Sequence, residues 1–332
     1  MTEPDDLHVW SLPMRVRFRG LTLREGVLLR GEAGWGEWSP FVEYDAAEAA
    51  AWLRCAREAA AGDWPAPVRD RVPVNVTVPA VDPRAARALV LAGGCTTAKV
   101  KVAEPGGDLD ADADRVAAVR EALTEVAGDG AATHVRVDAN GAWDVEEAVD
   151  ALARLDRAAG GLEYAEQPCA AVEDLARVRR RTWVPIAADE SIRRAADPYR
   201  VRELEAADVA VLKVQPLGGV RACLRVAEEI GLPVVVSSAV ESSVGLAAGV
   251  ALAAALPDLP HACGLGTATL LGDDVLDPPA RPVDGSLPVT LLAGAALGPE
   301  PDALARTAAP ADREAWWRRR HDEVAALLDG RP

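Results

Sequence analysis

Lysine is the rare basic residue of this chain, and its three copies are the first candidates for chemistry. Of 36 lysine and arginine residues only three are lysines, Lys99, Lys101 and Lys213. Arginine stays protonated in proteins, whereas burial or a neighbouring cation can lower the pKa of a lysine until it acts as a base. Codon bias towards arginine is the simple alternative. Lysine retained at three positions suggests that a proton is taken up and returned there.

Three carboxylates form the second candidate group. Asp138, Glu166 and Asp189 each follow a short apolar run, at intervals of about one strand plus one helix. A lone carboxylate at such a position is usually a helix cap. Three in succession would repel one another if their strands met at one edge of a sheet. We therefore expect a hard, oxygen-preferring divalent cation, Mg²⁺ or Mn²⁺, among them.

The apolar runs have the length and spacing of strands in a parallel sheet. Each is short, mostly apolar, and separated from the next by an amphipathic stretch with helical spacing. Eight runs are predicted as strands, at residues 74–78, 97–102, 134–137, 162–165, 186–188, 209–212, 234–236 and, less clearly, 261–265. This alternation predicts an α/β fold of the TIM-barrel type.

The active site of such a barrel lies at the C-terminal ends of its strands, which is where the lysines and carboxylates fall. Lys99 and Lys101 are two residues apart, so they should face the same side and lower each other's pKa. Lys213 ends a strand roughly opposite. Placement of all three lysines at the barrel mouth weighs against codon bias alone.

The N-terminal part of the chain has a different pattern. Alternating residues at 14–19 and glycine-punctuated turns predict a short antiparallel sheet, followed by a helix at 45–61. We expect an α+β capping domain at residues 1–71, a barrel at 72–284, and a C-terminal segment at 285–332 that packs back on the cap. Trp38 and Phe41 lie in a region without lysine or histidine, so the cap is expected to shape the substrate pocket.

Composition limits the classes of partner. The net charge of −16 argues against nucleic acid or an anionic membrane, which need a basic face. Five scattered cysteines without a C-x-x-C pair are typical of reduced thiols in a cytoplasmic protein. No signal peptide or membrane-spanning run is evident. The expected partner is a small-molecule carboxylate held by local cations, and the oligomeric state stays open.

Short motifs around the candidate residues resemble those of the enolase superfamily, in its muconate-lactonizing subgroup. The motifs are Thr97-Ala98-Lys99-Val100-Lys101, Val137-Asp138-Ala139-Asn140, Glu166-Gln167-Pro168, Asp189-Glu190-Ser191 and Lys213. The resemblance implies a modified barrel of (β/α)7β type with an N-terminal cap. It also implies Asp138, Glu166 and Asp189 as ligands of Mg²⁺, with Lys101 and Lys213 on opposite faces of the substrate.

Further stretches resemble the actinobacterial o-succinylbenzoate synthases of menaquinone biosynthesis. They include Phe18-Arg19-Gly20, Gly34-Trp35-Gly36-Glu37-Trp38 and Ser237-Ser238-Ala239-Val240-Glu241. This resemblance implies a magnesium-dependent hydro-lyase that dehydrates 2-succinyl-6-hydroxy-2,4-cyclohexadiene-1-carboxylate to o-succinylbenzoate. Lys101 would then be the base, Lys213 a stabilising cation, and Lys99 a group that keeps the pKa of Lys101 low.

Candidate substrate contacts and rival functions complete the expectations. The candidate contacts are Arg136, Ser237, Ser238, Glu241 and Gly264. Arg136 could instead pair with an acidic residue, and Glu241 could be a helix N-terminal carboxylate. An N-acylamino-acid racemase or cycloisomerase would use the same metal and lysines. A non-catalytic scaffold that binds a metal and a carboxylate is the alternative from another class.

Overall fold

A computed structural model describes residues 7–62, 64–128, 131–195 and 197–330. The strands are β1 (Leu7–Phe18), β2 (Leu21–Arg30), β3 (Trp35–Trp38), β4 (Arg71–Pro73), β5 (Val76–Val78), β6 (Thr97–Lys101), β7 (His134–Asp138), β8 (Leu162–Glu166), β9 (Ile186–Ala188), β10 (Val209–Lys213), β11 (Val234–Ser237) and β12 (Ser286–Pro288). The helices are α1 (Ala46–Ala61), α2 (Pro83–Gly93), α3 (Leu109–Ala127), α4 (Val145–Ala159), α5 (Val172–Arg179), α6 (Glu190–Arg193), α7 (Arg200–Glu203), α8 (Val214–Leu217), α9 (Val220–Ile230), α10 (Ser243–Ala255), α11 (Leu291–Leu297), α12 (Pro301–Thr307) and α13 (Ala311–Leu328). Among the helices in these ranges, none is both long and apolar enough to cross a membrane.

Strands β1, β2 and β3 form a three-stranded antiparallel sheet at the N-terminus. Helix α1 packs against it and starts after Asp45, whose carboxylate accepts a hydrogen bond from the Glu48 amide. Helix α13 also packs on this unit: its Trp317 ring lies edge-on to the Trp38 ring, with the two centroids 5.5 Å apart. Trp38 is fully buried in this core. Trp38 therefore belongs to the core of the cap and does not line the cavity, so a direct part for Trp38 in shaping the substrate pocket is not supported.

Seven parallel strands, in the order β5-β6-β7-β8-β9-β10-β11, form the curved central sheet. Two isolated parallel bridges, Val74 with Cys263 and Ser237 with Gly264, connect its two edges through the segment at residues 263–264. The eighth predicted strand, at residues 261–265, is thus reduced to these two bridges. The other seven lie within two residues of their predicted positions, so the α/β barrel with an N-terminal antiparallel cap is confirmed.

Local chemistry sets the limits of the helices that cover the barrel. Before α4, Asp144 accepts a hydrogen bond from the Glu147 amide and the Glu147 carboxylate accepts one from the Asp144 amide, a reciprocal capping box. Gly160, with φ of +63°, ends the same helix in a left-handed conformation.

All five cysteines are buried as free thiols. The expected thiol state therefore agrees with the fold.

The strands next to the two expected boundaries of the barrel domain are hydrogen-bonded to each other. Strand β12 pairs with β4 in antiparallel register, with Ser286 opposite Pro73. Strand β4 itself spans the expected boundary between residues 71 and 72. The division of the chain at residues 71 and 284 stays a prediction.

Two buried charged residues of the N-terminal unit, Arg24 and Glu37, join it to the barrel. The Arg24 guanidinium donates to two backbone carbonyls within residues 239–245, the segment between β11 and the first turn of α10. The Glu37 carboxylate accepts hydrogen bonds from the backbone amides of Ser242 and Gly245 in the same segment. This segment forms part of the wall of the barrel mouth, so the cap fixes its position.

Replacing Glu37 by alanine is expected to lower the free energy of unfolding by about 2–4 kcal/mol near pH 5, because two buried amides lose their acceptor. Burial raises the pKa of Glu37 from 4.5 to about 7. Between these values the folded state binds more protons than the unfolded state, so the contribution of Glu37 to stability falls as pH rises. Denaturant unfolding should show a smaller deficit for the variant near pH 8. Exposed Glu32→Ala is the control, and a deficit that grows with pH would contradict the assignment.

Candidate active site

A cavity lies at the C-terminal ends of the barrel strands. Its walls come from the strand ends, from the segment after β11, and from the β1–β2 hairpin of the N-terminal unit. The lining residues are Phe18, Arg19, Phe41, Thr77, Lys99, Lys101, Asp138, Asn140, Lys213, Ser237, Ser238, Ala239, Val240, Gly264 and Thr267. All three lysines face this one cavity, as their spacing predicts.

The three predicted carboxylates end adjacent strands. Asp138 closes β7 and lies in register with Glu166, which closes β8, while Asp189 directly follows β9. Their residues are at most 1% exposed. Of the three, Asp138 reaches the cavity surface. Burial of several anions is unfavourable unless cations compensate them.

Each carboxylate has a different lysine as its nearest lysine. The shortest nitrogen–oxygen distances are 2.5 Å for Lys101 with Asp138, 2.9 Å for Lys99 with Glu166 and 2.6 Å for Lys213 with Asp189. The Lys99 Nζ also lies 3.4 Å from the Asp138 Oδ2, so it bridges two of the anions. The strand order places Lys99 and Lys101 on one side of the carboxylates and Lys213 on the other.

The two lysines of β6 differ in their electrostatic environment. Burial, helped by the charge of Lys99, lowers the pKa of Lys101 despite the neighbouring Asp138. Burial also acts to lower the pKa of Lys99, but Glu166 and Asp138 outweigh it and raise that pKa. The expectation that each lysine lowers the other's pKa is therefore wrong for Lys99. Lys99 is the fixed cation of the pair.

The carboxylates are also unequal. Burial alone would raise the pKa of Asp138, but Lys101 and Lys99 outweigh it and hold that pKa well below the usual range. Burial, together with the negative charge of Asp138, raises the pKa of Glu166 to about 7 despite Lys99. Glu166 is thus the carboxylate with the weakest compensation.

Some side chains that orient the site were not among the candidates. Asn140, at φ of +48°, accepts a hydrogen bond from the Lys101 Nζ at 2.6 Å. The Arg193 Nε donates to the Asp189 Oδ1 at 2.8 Å, and Gln167 accepts from the Asp189 amide. Asn140 and Gln167 stand inside the motifs quoted for the resemblance, which was the available signal. Nothing in the sequence pattern marked Arg193.

The donor set at these strand ends has the chemistry of a hard divalent cation site. Its members are three buried carboxylates, all oxygen donors, and burial together with the negative charge of Asp138 raises the pKa of Glu166. Within the described ranges, however, no three His, Cys, Asp or Glu side chains lie close enough to hold a metal ion as they stand. Each carboxylate is turned towards a different lysine, so ion binding would require these side chains to reorient.

Three of the five candidate substrate contacts lie in the cavity wall. Ser237, Ser238 and Gly264 line it, and the Ser238 hydroxyl is 2.6 Å from that of Thr267. A Cβ atom at Gly264 would lie 2.5 Å from the Ser237 Oγ. The absence of a side chain at Gly264 therefore leaves room for the Ser237 hydroxymethyl group, and substrate contact by these residues stays a prediction.

The other two candidates, Arg136 and Glu241, do not line the cavity. Arg136 is fully buried, and its Nε donates to the Glu163 Oε2 at 2.5 Å while its guanidinium stacks 4.7 Å from the Tyr164 ring. Glu241 is buried and accepts a hydrogen bond from the Ala239 amide at 2.7 Å. The ion-pair alternative therefore fits Arg136, and Glu241 stabilises the loop before α10. Substrate contact by either residue is not supported.

Family models match most of the chain. A model described as "Enolase C-terminal domain-like" matches residues 82–303, and one described as "Enolase N-terminal domain-like" matches residues 9–60. An o-succinylbenzoate synthase of Thermobifida fusca is 65% identical over 84% of this chain and 86% of the relative. The enzyme of that name from Mycolicibacterium smegmatis is 56% identical over 94% of this chain and 92% of the relative.

Solved structures agree in fold. A muconate lactonizing enzyme from Pseudomonas fluorescens, complexed with muconolactone, superimposes with a TM-score of 0.77. The match covers 92% of this chain and 98% of the other at 23% identity. At that identity the likeness concerns the fold alone, a capped barrel with its cavity at the strand ends.

Proposed function

Because the chain belongs to the enolase superfamily, we propose that it catalyses the reaction named for its relatives, the formation of o-succinylbenzoate. The substrate would be 2-succinyl-6-hydroxy-2,4-cyclohexadiene-1-carboxylate, and the reaction a dehydration, which makes the protein a hydro-lyase. Identities of 56–65% over most of both chains support this choice. The resident cofactor in this proposal is Mg²⁺ or Mn²⁺.

One observation of the site carries the proposal: two buried lysines flank a row of carboxylates. Lys101 and Lys213 lie on strands β6 and β10, and the three strands between them end at Asp138, at Glu166 and directly before Asp189. A planar carboxylate substrate placed over this row would have one lysine on each face. Simple anion binding would be served by arginine, of which the chain has many.

In this mechanism Lys101 removes the proton from the ring carbon that carries the carboxylate. The electrons of that C–H bond form a ring double bond while the hydroxyl leaves the neighbouring carbon. Lys101 then returns the proton to the departing hydroxyl, so that water is released and the ring becomes aromatic. The lowered pKa of Lys101 and its hydrogen bond to Asn140 support this role.

The remaining charges are proposed to stabilise negative charge without proton transfer. Lys213, fixed by Asp189 at 2.6 Å, faces the ring from the other side as a cation. Lys99, whose pKa is raised, contributes positive charge next to Lys101. When bound by Asp138, Glu166 and Asp189, the divalent ion would supply positive charge to the substrate carboxylate.

The direct test is to incubate purified protein with the cyclohexadiene carboxylate and to measure the formation of o-succinylbenzoate. If no product forms at saturating Mg²⁺, the proposal is wrong.

The second candidate is an N-acylamino-acid racemase, favoured by the lysines on both sides of the site. Deuterium incorporation from solvent into both enantiomers of an N-succinylamino acid would reveal it. A scaffold without catalysis would bind the diacid and release it unchanged.

Phe41→Leu is expected to raise KM roughly two- to fivefold with little change in kcat. Phe41 lines the cavity from the cap and contacts no group that exchanges a proton, so its ring serves binding. Leucine keeps an apolar side chain in the surrounding core. Steady-state kinetics of the variant decide the point, and a fall in kcat at constant KM would refute a purely binding role.

A further inference from the structure

Arg19 is a cation at the rim of the cavity with no ionic partner among the described residues. It lines the same cavity as the three lysines. The lysines are neutralised by Asp138, Glu166 and Asp189, whereas the guanidinium of Arg19 meets only the ring of Phe41, 4.5 Å from its centroid. The side chain is exposed. Its hydrogen-bond donors are therefore available to a ligand.

The backbone at Arg19 is fixed by a tight turn. Phe18 pairs with Leu21 across β1 and β2, which leaves Arg19 and Gly20 as a two-residue hairpin loop. Their φ angles, +51° and +76°, place both residues in the left-handed region that a type I′ turn needs. Asparagine and glycine suit such positions, and arginine is strained there. An unfavourable residue at this position, directed to the cavity, suggests selection for binding.

Phe41 and Arg24 restrict the direction of the Arg19 side chain. The Arg24 guanidinium lies 4.6 Å from the same Phe41 ring, and its donors are committed to backbone carbonyls. Arg24 is buried, so Phe41 rests on a rigid base. Stacking on that ring keeps the Arg19 guanidinium at the rim while leaving its edge open. A planar donor held in this way suits a carboxylate.

We propose that Arg19 binds a second carboxylate of the substrate, on the cap side of the cavity and remote from the reacting carbon. This inference rests on the proposed function, because the succinyl chain of that substrate ends in a carboxylate. Lys99, Lys101 and Lys213 lie at the strand ends, where the proposed mechanism uses their charges at the reacting ring. Arg19 thus makes the site selective for dicarboxylates over monocarboxylates of the same shape.

The test compares o-succinylbenzoate with its methyl ester at the aliphatic carboxylate, using Mg²⁺-loaded protein and calorimetry. Wild-type protein should bind the diacid about tenfold to a hundredfold more tightly than the ester, and Arg19→Asn should bind both about equally. Asparagine suits the turn, so thermal stability should be unchanged or higher. Arg17→Asn, which removes the same charge from the adjoining strand β1 outside the cavity lining, should keep the wild-type preference.

Several outcomes would overturn this assignment. They are full diacid preference in Arg19→Asn, equal weakening of both ligands, and a wild-type protein that does not distinguish the ligands. In kinetics, Arg19→Asn should raise KM for the cyclohexadiene dicarboxylate far more than it lowers kcat. The proposed function is tested separately, by whether wild-type protein makes o-succinylbenzoate. The ligand comparison measures binding alone and requires no turnover, so the two proposals can fail independently.

Discussion

Lys101→Arg is expected to lower kcat for dehydration by about 10³-fold or more, because the variant keeps the positive charge but loses the base. Burial lowers the pKa of Lys101, whereas a guanidinium does not release its proton at working pH. Arginine would also separate the hydrogen-bond partners Asp138 and Asn140, which now lie 2.5 and 2.6 Å from the Lys101 Nζ. Single-turnover formation of o-succinylbenzoate measures the chemical step directly.

Lys213 provides the matched comparison. If it serves as a cation only, Lys213→Arg should retain part of the rate, and Lys213→Ala should lose more. For a two-base racemase both arginine variants would be inactive in overall turnover, since each lysine is the base in one direction. Exchange of the substrate α-proton with deuterium separates the half-reactions. A Lys101→Arg protein that makes product at nearly the wild-type rate would remove Lys101 from the role of base.

The positions of the chemical groups were predictable because parallel strands share one direction. Short apolar runs located the strands, and the residue after each run necessarily lies at the C-terminal edge. Lys101, Asp138, Glu166 and Lys213 are the last residues of their strands, and Asp189 directly follows its own. Strand period and chain direction are properties of local sequence, so no knowledge of side-chain packing was needed.

Depth within the barrel was not predictable, as Arg136 illustrates. Alternation correctly suggests that Arg136 and Asp138 share a face of β7. The register between β7 and β8 shifts next to Arg136, where Glu163 is an extra residue, and Arg136 pairs with it. Arg136, a candidate substrate contact, therefore forms a buried ion pair with the extra residue of the neighbouring strand. Sequence spacing carries no sign of such a shift.

Partners in the charge network also had to be seen in three dimensions. The sequence predicted that Lys99 and Lys101 would depress each other's pKa. Burial alone would lower the pKa of Lys99, but in the fold this lysine bridges Glu166 and Asp138, and their attraction raises its pKa. The same lysine neighbour does lower the pKa of Lys101. Cation–cation proximity was correctly predicted, and the sign at Lys99 depended on carboxylates from two other strands.

The sequence also did not show which of the two aromatic residues of the cap, Trp38 or Phe41, faces the cavity. Trp38 and Phe41 are close in sequence and looked equivalent as pocket residues. Phe41 lines the cavity, whereas Trp38 donates from its Nε1 to the Ala49 carbonyl and packs against Trp317. Its partner comes from the C-terminal helix α13, far along the chain. Long-range packing of that kind decides which of two nearby aromatic residues faces substrate.

Removal of divalent metal is expected to abolish turnover, and Mg²⁺ or Mn²⁺ should restore it. The reason is electrostatic: three buried carboxylates lie at adjacent strand ends, and the lysines that compensate them are needed for the substrate. Asp138→Asn should weaken Mg²⁺ binding at least about 100-fold, since even residues that support metal ligands change affinity up to that extent. Calorimetric titration measures this affinity without reference to catalysis.

Asp144→Asn is the control for that titration. Asp144 is an exposed N-cap of α4, and asparagine caps a helix equally well, so one negative charge is lost with the fold preserved. Its Mg²⁺ affinity should match that of the wild type. The increase in thermal stability produced by saturating Mg²⁺ should likewise persist in Asp144→Asn and disappear in Asp138→Asn. Full turnover in excess EDTA, or unchanged Mg²⁺ binding by Asp138→Asn, would show that these carboxylates serve only to hold the lysines.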